Sequence, residues 1–275
     1  MFAATLLTIL PFFAGLAGTG DGTDTGPDSP AKVKSAKAAK AAKVEPFAEV
    51  TRLKRSATGK TPEEKHAALT AAAQECARVA KGAMEPAVVA EAHWRAGEIW
   101  RTLRHEEEAR RCFTATAGMS AVEPQLAAKA WLEIGHLDRR AKRFDAAIES
   151  YRRVLAITPE QRKESAQSLT WQGKALLAKD DAAGGHALLL AVGQRYPELA
   201  VDDIRNVDIV ACDWIEAGRV AEARELVNDC RERHAKLDGA TTEDDDSDGD
   251  EVAAVERALS KMKCNKLFEA ATAKS

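Results

Sequence analysis

Aromatic side chains make up only 5% of this 275-residue chain. Its five cysteines, Cys76, Cys112, Cys212, Cys230 and Cys264, are an odd number with no CxxC spacing. That count excludes a complete disulfide framework, and no Cys/His spacing suggests zinc. No segment alternates β-branched and polar residues as a strand does, so strands are not expected. The motifs of common active sites are missing too: there is no GxSxG, Walker or GxGxxG run. His105-Glu106-Glu107-Glu108 lacks the second histidine of HExxH, and the six histidines are scattered. Gly184-Gly185 lies between expected helices and not after a strand, so it is no phosphate loop. An enzyme would need groups converging from distant segments, and nothing points to one. No cofactor, resident metal or specific nucleic acid is implied. Residues 2–16 are apolar but broken by Pro11, too short for a comfortable membrane span.

What is present is a register. Gly97, Gly135, Gly173 and Ala211 recur every 38 residues. Small residues follow at Ala109, Ala147, Gly185 and Ala223, then larger apolar ones at Phe113, Tyr151, Leu189 and Val227. A fixed period in this range means a stack of similar supersecondary units. The clearest unit spans residues 128–159. Trp131, Leu132, Gly135 and Leu137 mark one helix, and Phe144, Ala147, Ile148, Tyr151, Val154 and Leu155 a second. The short break at 141–143 makes the two antiparallel. Gly135 and Ala147 fall where the backbones approach most closely.

This unit resembles a tetratricopeptide (TPR) repeat. Trp131, Gly135, Ala147, Tyr151 and Pro159 occupy the family's small, aromatic and terminal-proline positions. Asp138 departs from it by standing at the first-helix tyrosine position. Three weaker units keep the register: Gly97, Trp100, Ala109 and Phe113; Gly173, Leu176, Leu189, Val192 and Pro197; and Ala223 and Val227 after the turn at Glu216-Ala217-Gly218. The family unit has about 34 residues. The additional four, about one helical turn, are expected at the front of each first helix. There Thr158-Pro159-Glu160-Gln161 reads as a capping box with proline at the first helical position, and Pro86, Pro124 and Pro197 sit comparably. The resemblance implies an all-α, right-handed α-α superhelical solenoid of about four TPR-like helix hairpins with capping helices at both ends.

The remaining organisation follows from composition. Residues 1–17 read as a signal peptide or an N-terminal hydrophobic anchor, so export to periplasm, envelope or medium is expected, with an uncleaved membrane anchor as the alternative. Residues 18–60 read as a disordered Ala/Lys-rich linker, a spacer or a contact for an anionic surface. Residues 61–85 read as an N-terminal capping helix with Leu69, Ala72, Cys76 and Val79 inward, opened by the capping box Thr61-Pro62-Glu63-Glu64. The repeats take 86–237, an acidic flexible loop 238–251, and a C-terminal capping helix and tail 252–275, with Val252, Val255, Leu259, Met262 and Leu267 as its stripe. The cysteines are expected to act as packed apolar side chains, although Cys230–Cys264 would be a conceivable bridge after export. Asp244-x-Asp246-x-Asp248-Gly249 looks like the front of a calcium loop, but loop position twelve is Val255 where a bidentate carboxylate is needed.

The function expected from the resemblance is non-catalytic: a scaffold binding a peptide or protein partner, plausibly acidic, in the concave groove lined by the first helices. Carried over by register, the partner-binding positions are Trp94, Glu98 and Arg101; Lys129, Leu132, His136 and Arg139; Thr170, Lys174 and Leu177; and Arg205, with Asp208, Cys212 and Ile215 beside it. The Lys/Asn clamp that holds C-terminal carboxylates in some relatives is not reproduced. Gln194-Arg195-Tyr196-Pro197 is similar to repeat ends in bacterial envelope members of the family. The alternative is an envelope-surface protein whose Lys-rich tether at 31–43 binds an anionic polymer or membrane. Partner identity and oligomeric state are not fixed by the sequence.

Overall fold

Among the described residues, 45–157, 162–235 and 248–272 of a computed structural model, every regular element is a helix. The proposed signal segment, the linker up to residue 44, the Thr158–Gln161 capping box and residues 238–247 of the acidic loop lie outside these. The chain order is α1 (Ala48–Ser56), α2 (Pro62–Gly82), α3 (Pro86–Thr102), α4 (Glu106–Ala117), α5 (Pro124–Arg140), α6 (Phe144–Ile157), α7 (Arg162–Leu177), α8 (Ala182–Arg195), α9 (Ala200–Glu216), α10 (Val220–Ala235), α11 (Asp248–Ser260) and α12 (Cys264–Thr272). Each helix packs on the next as far as α10, which makes a stack of antiparallel hairpins.

The register governs the boundaries as well as the core. Helices α3, α5, α7 and α9 begin at 86, 124, 162 and 200, and their partners at 106, 144, 182 and 220, all 38 apart. Between the members of each pair one residue takes a positive φ: Arg104 (61°), Lys142 (58°), Asp180 (64°) and Gly218 (81°). The following N–H then reaches five residues back, His105 to Trp100 O at 2.9 Å and Arg143 to Asp138 O at 2.8 Å. Asp181 to Leu176 O and Arg219 to Trp214 O repeat it at 3.0 and 2.8 Å. This is the Schellman ending, which satisfies the last carbonyls of the first helix while reversing the chain. Only the fourth unit uses glycine there, so the sequence carries little sign of it.

Inside each hairpin the small-and-large pairing is physical contact. A Cβ on Gly97 would come closer than 3.0 Å to the ring of Phe113, and one on Gly135 closer than that to Tyr151. Gly173 meets both Leu189 and the carbonyl of Gly185 in the same way. Gly185 therefore marks a close backbone approach of α7 and α8, and Asp181 offsets the low helix propensity of Gly184-Gly185 by accepting a hydrogen bond from Gly184 N at 2.9 Å. Asp138, the departure from the family pattern, is 3% exposed and latches hairpins together. It accepts from Arg110 on α4 at 2.7 Å and from Arg143 at 2.8 Å.

Three boundaries differ from the sequence reading. Residues 48–56, placed in the linker, form α1, which starts 38 residues before α3 and buries Val50 completely against α2. Sequence reasoning discounted it because Lys and Arg dominate its exposed side. Pro197 does not open a helix: it lies in the turn after α8, and α9 starts at Ala200, where the register puts it. The C-terminal cap is two helices with a break at 261–263. Asp208 on α9 causes the break by accepting from the backbone N–H groups of Lys263 at 3.0 Å and Cys264 at 2.9 Å, so it caps α12 from another helix. Val255, Met262, Cys264 and Phe268 are buried in the resulting cluster with α9 and α10. All five cysteines are free, three of them buried, so the conceivable Cys230–Cys264 bridge is not formed.

Candidate functional site

First helices touch each other directly, α3 with α5 and α5 with α7. The surface along that line holds two of the three buried side-chain polar atoms that lack a hydrogen-bond partner among the described residues, Glu133 Oε2 and Arg139 Nε. Such atoms are uncommon in folded proteins and mark places where a group from outside can bind.

The cluster is built around Trp171 on α7. The guanidinium of Arg139, on α5, lies 4.5 Å from the centre of its ring system. The Lys174 ammonium, one turn further along α7, is also 4.5 Å away. Two cations thus share one indole, an arrangement held by the ring quadrupole. His136 meets the same indole edge-on at 4.9 Å. Its Nδ1 is 2.8 Å from the hydroxyl of Tyr151, which is fully buried on α6. Arg101 on α3 reaches across to Glu133 Oε1. No carboxylate lies within ion-pair distance of Arg139 or Lys174 among the described residues.

The electrostatics follow from burial and crowding of like charge. Burial first, then Arg139, Arg140 and Arg101, hold the His136 imidazole down at about 4. Burial and then Arg139 lower the Lys174 ammonium. Burial raises the Tyr151 phenol, with Arg139 opposing. A neutral imidazole accepting from a protonated phenol suits both groups. The surface is consequently positive where a ligand would meet it: Arg101 is paired with Glu133, but Arg139 and Lys174 have no neutralising partner among the described residues.

The His136 shift has a measurable consequence. Its folded-state value is depressed below the ordinary 6.5, so the unfolded chain takes up a proton between pH 6.5 and about 4 that the folded chain does not. Stability present above pH 6.5 is therefore lost as pH falls through that window, by on the order of 2 kcal/mol once solvent access to the half-buried ring is allowed for. Urea unfolding at pH 7.5 and pH 4.5 should show this loss, and His136→Gln should reduce it. An identical loss in the variant would remove His136 as the cause.

The structure gathers only some of the expected partner-binding positions. Arg101, His136, Arg139 and Lys174 belong to the cluster. Lys129 is exposed further along α5. Glu98 lines an open cavity of about 450 Å³ with Arg101, Lys54, Lys60 and Lys65. Trp94 packs on Phe113 with ring centres 5.4 Å apart, and Leu132 is 5% exposed in the core of α5 and α6, so both serve packing. Thr170 accepts from Asn206 at 2.9 Å, tying α7 to α9. Leu177 fills the space over Gly185 inside its hairpin. Arg205 is exposed, 3.6 Å from Asp202, and lines a second cavity of about 450 Å³ beneath Arg257 and Lys261. Asp208 is occupied with capping α12, while Cys212 and Ile215 pack into the C-terminal cluster. The capping helices thus take over the fourth unit's part of the surface. Sequence reasoning missed Trp171 and Glu133 as site residues. The signal was available: both sit one residue before their unit's Leu132 or Thr170 register plus two, at the same position 38 apart.

Two solved structures resemble this fold. BtubC (BKLC) from P. vanneervenii aligns with 12% identity and a TM-score of 0.50 over 72% of this chain and 91% of its own. A kinesin light chain candidate from Podosopora anserina with nearly identical TPR-like repeats aligns with 14% identity and a TM-score of 0.50 over 70% and 98%. At these identities the likeness is one of fold, and the chain folds as an all-α solenoid of TPR-like repeats. No protein-family model matches the chain, and no curated protein matches it.

Proposed function

We propose that the chain is a non-catalytic scaffold that holds an acidic peptide or protein segment on its first-helix face. The observation that carries the reading is the pair Arg139 and Lys174, stacked on one indole with no carboxylate paired to either among the described residues. Charge-assisted hydrogen bonds to a ligand carboxylate would occupy both cations. Trp171, the Arg139 stem and the Lys174 stem supply apolar area beside them. TPR-like solenoids generally serve protein–protein interaction, and this face fits that use. We also place the protein on an export route because of its apolar residues 2–16, with residues 31–43 as a basic tether. Recovery of the intact, uncleaved chain from the cytosol of its native source would overturn that route.

The binding reading is tested with the full chain and a labelled poly-glutamate peptide as probe, following Trp171 fluorescence and anisotropy. Arg139→Glu with Lys174→Glu should weaken binding by more than about 100-fold, since each charge-assisted contact contributes about 1.5–3 kcal/mol. Arg111→Glu, on the exposed side of α4, should weaken it little. Helicity must be equal in all three. Equal affinity of the double variant and the Arg111 variant would sink the site as drawn.

A further inference from the structure

The third orphaned atom lies elsewhere. Asp203 on α9 and Cys230 and His234 on α10 are each at most 1% exposed. Their donor atoms all lie within 4.8 Å of one another. From Asp203 Oδ2, His234 Nε2 is 2.9 Å away and Cys230 Sγ 4.0 Å. Asp203 Oδ1 has no hydrogen-bond partner. Cys230 and His234 are four residues apart on one helix and so face the same way. Arg233 reaches the same Oδ2 at 3.3 Å with over a third of its side chain in solvent.

The repeat shows how unusual this is. At the three equivalent positions the preceding unit holds Ser165, Val192 and Tyr196, of which Val192 and Tyr196 belong to its apolar core. The last unit buries a carboxylate, a thiol and an imidazole where apolar packing serves its neighbour. Burial of such groups is costly unless something engages them.

We propose that Asp203, Cys230 and His234 bind a borderline-soft divalent cation, Zn²⁺ above all, which staples α9 to α10. One sulfur, one imidazole nitrogen and a carboxylate form a donor set that Zn²⁺ favours over Mg²⁺ or Ca²⁺. Bonds of about 2.0–2.3 Å set tetrahedral neighbours roughly 3.3–3.6 Å apart. The Oδ2–Nε2 separation opens by a few tenths of an ångström, and the Oδ2–Sγ separation closes by as much. Asp203 Oδ1 supplies the fourth donor when the carboxylate binds through both oxygens. Thiolate and carboxylate together neutralise the ion, and Arg233 turns outward into the solvent it already reaches. Binding expels the thiol proton. Affinity therefore rises with pH. The sequence hid the site because its ligands come from two helices 27 residues apart and match no linear zinc motif.

The test uses the full chain, stripped with chelator, and Co²⁺ as the spectroscopic probe before Zn²⁺. One ion per chain should bind, with a thiolate-to-cobalt charge-transfer band in the near ultraviolet, and Zn²⁺ should displace it and raise Tm. Cys230→Ser should abolish the band and the Tm response, while Cys264→Ser keeps both. Should Cys230→Ser lose helicity, alkylation of the wild-type protein under native conditions decides: Zn²⁺ must protect Cys230 selectively among the five thiols. Absence of stoichiometric Co²⁺ binding, a band that survives in a folded Cys230→Ser, or no protection of Cys230 would each overturn the site.

Discussion

Replacing Tyr151 by alanine is expected to cost about 3–5 kcal/mol of stability, the range for deleting a large buried aromatic ring. Tyr151 is fully buried and is the largest such side chain among the described residues. It fills the space left by Gly135, and its backbone carbonyl accepts from the buried Ser168 hydroxyl at 2.5 Å, which joins α6 to α7. The cavity left behind would lie between tightly packed helices that have little freedom to collapse into it. Tyr151→Phe keeps the ring and loses only the bond to His136, so it should cost about 1 kcal/mol. Urea unfolding of the three proteins separates packing from hydrogen bonding. In a solenoid each unit leans on its neighbours alone, so the damage should be local. Hydrogen exchange should accelerate in α5, α6 and α7, while α1 and α10 keep their protection. A loss under 1 kcal/mol for Tyr151→Ala, or uniform acceleration along the chain, would contradict this account of the core. The alanine variant should also weaken peptide binding, because His136 and through it the edge of Trp171 lose their support.

The repeat was legible because it rests on volume. Glycine opposite a ring leaves a mark in the sequence wherever two helices touch, and Gly97 with Phe113 or Gly135 with Tyr151 needs no side-chain geometry to be seen. Helix α1 was hidden because nine residues with one buried valine make a weak apolar pattern, and its basic face looks like a linker. The break between α11 and α12 was hidden for a different reason: its cause, Asp208, is 55 residues away in the chain. The candidate site divides along the same line. Register grouped Arg101, His136, Arg139 and Lys174 as neighbours, since positions 38 apart share a face. It could not separate Leu132, which packing buries, from Trp171, which packing leaves partly open. That distinction depends on how far one hairpin is rotated over the next, and no local pattern encodes it.

Glycine substitutions give the second large effect, and they should differ in sign. Helix propensity alone predicts that Gly→Ala inside a helix stabilises by about 1 kcal/mol. Gly82, the last residue of α2, has nothing within 4 Å of the place a Cβ would take, so Gly82→Ala should stabilise by up to about that amount. Gly193, within α8, is the opposite case. A Cβ there would fall well inside 3.0 Å of both oxygens and Cγ of the Asp203 carboxylate. Asp203 is short, 1% exposed and held by His234 and Arg233, so it has no flexible end to move aside. Either the backbones of α8 and α9 separate, at about 1–3 kcal/mol for overpacking, or the carboxylate rotates away from Arg233 and His234. The cheaper route, less the propensity gain of about 1 kcal/mol, leaves Gly193→Ala destabilised by up to about 2 kcal/mol net. Combining it with Asp203→Ala should recover part of that loss, because the added methyl then occupies the vacated space. Thermal and urea unfolding of the single and double variants form a cycle that isolates this contact. If Gly193→Ala stabilised the protein as Gly82→Ala should, the tight seating of Asp203 against α8 would be wrong.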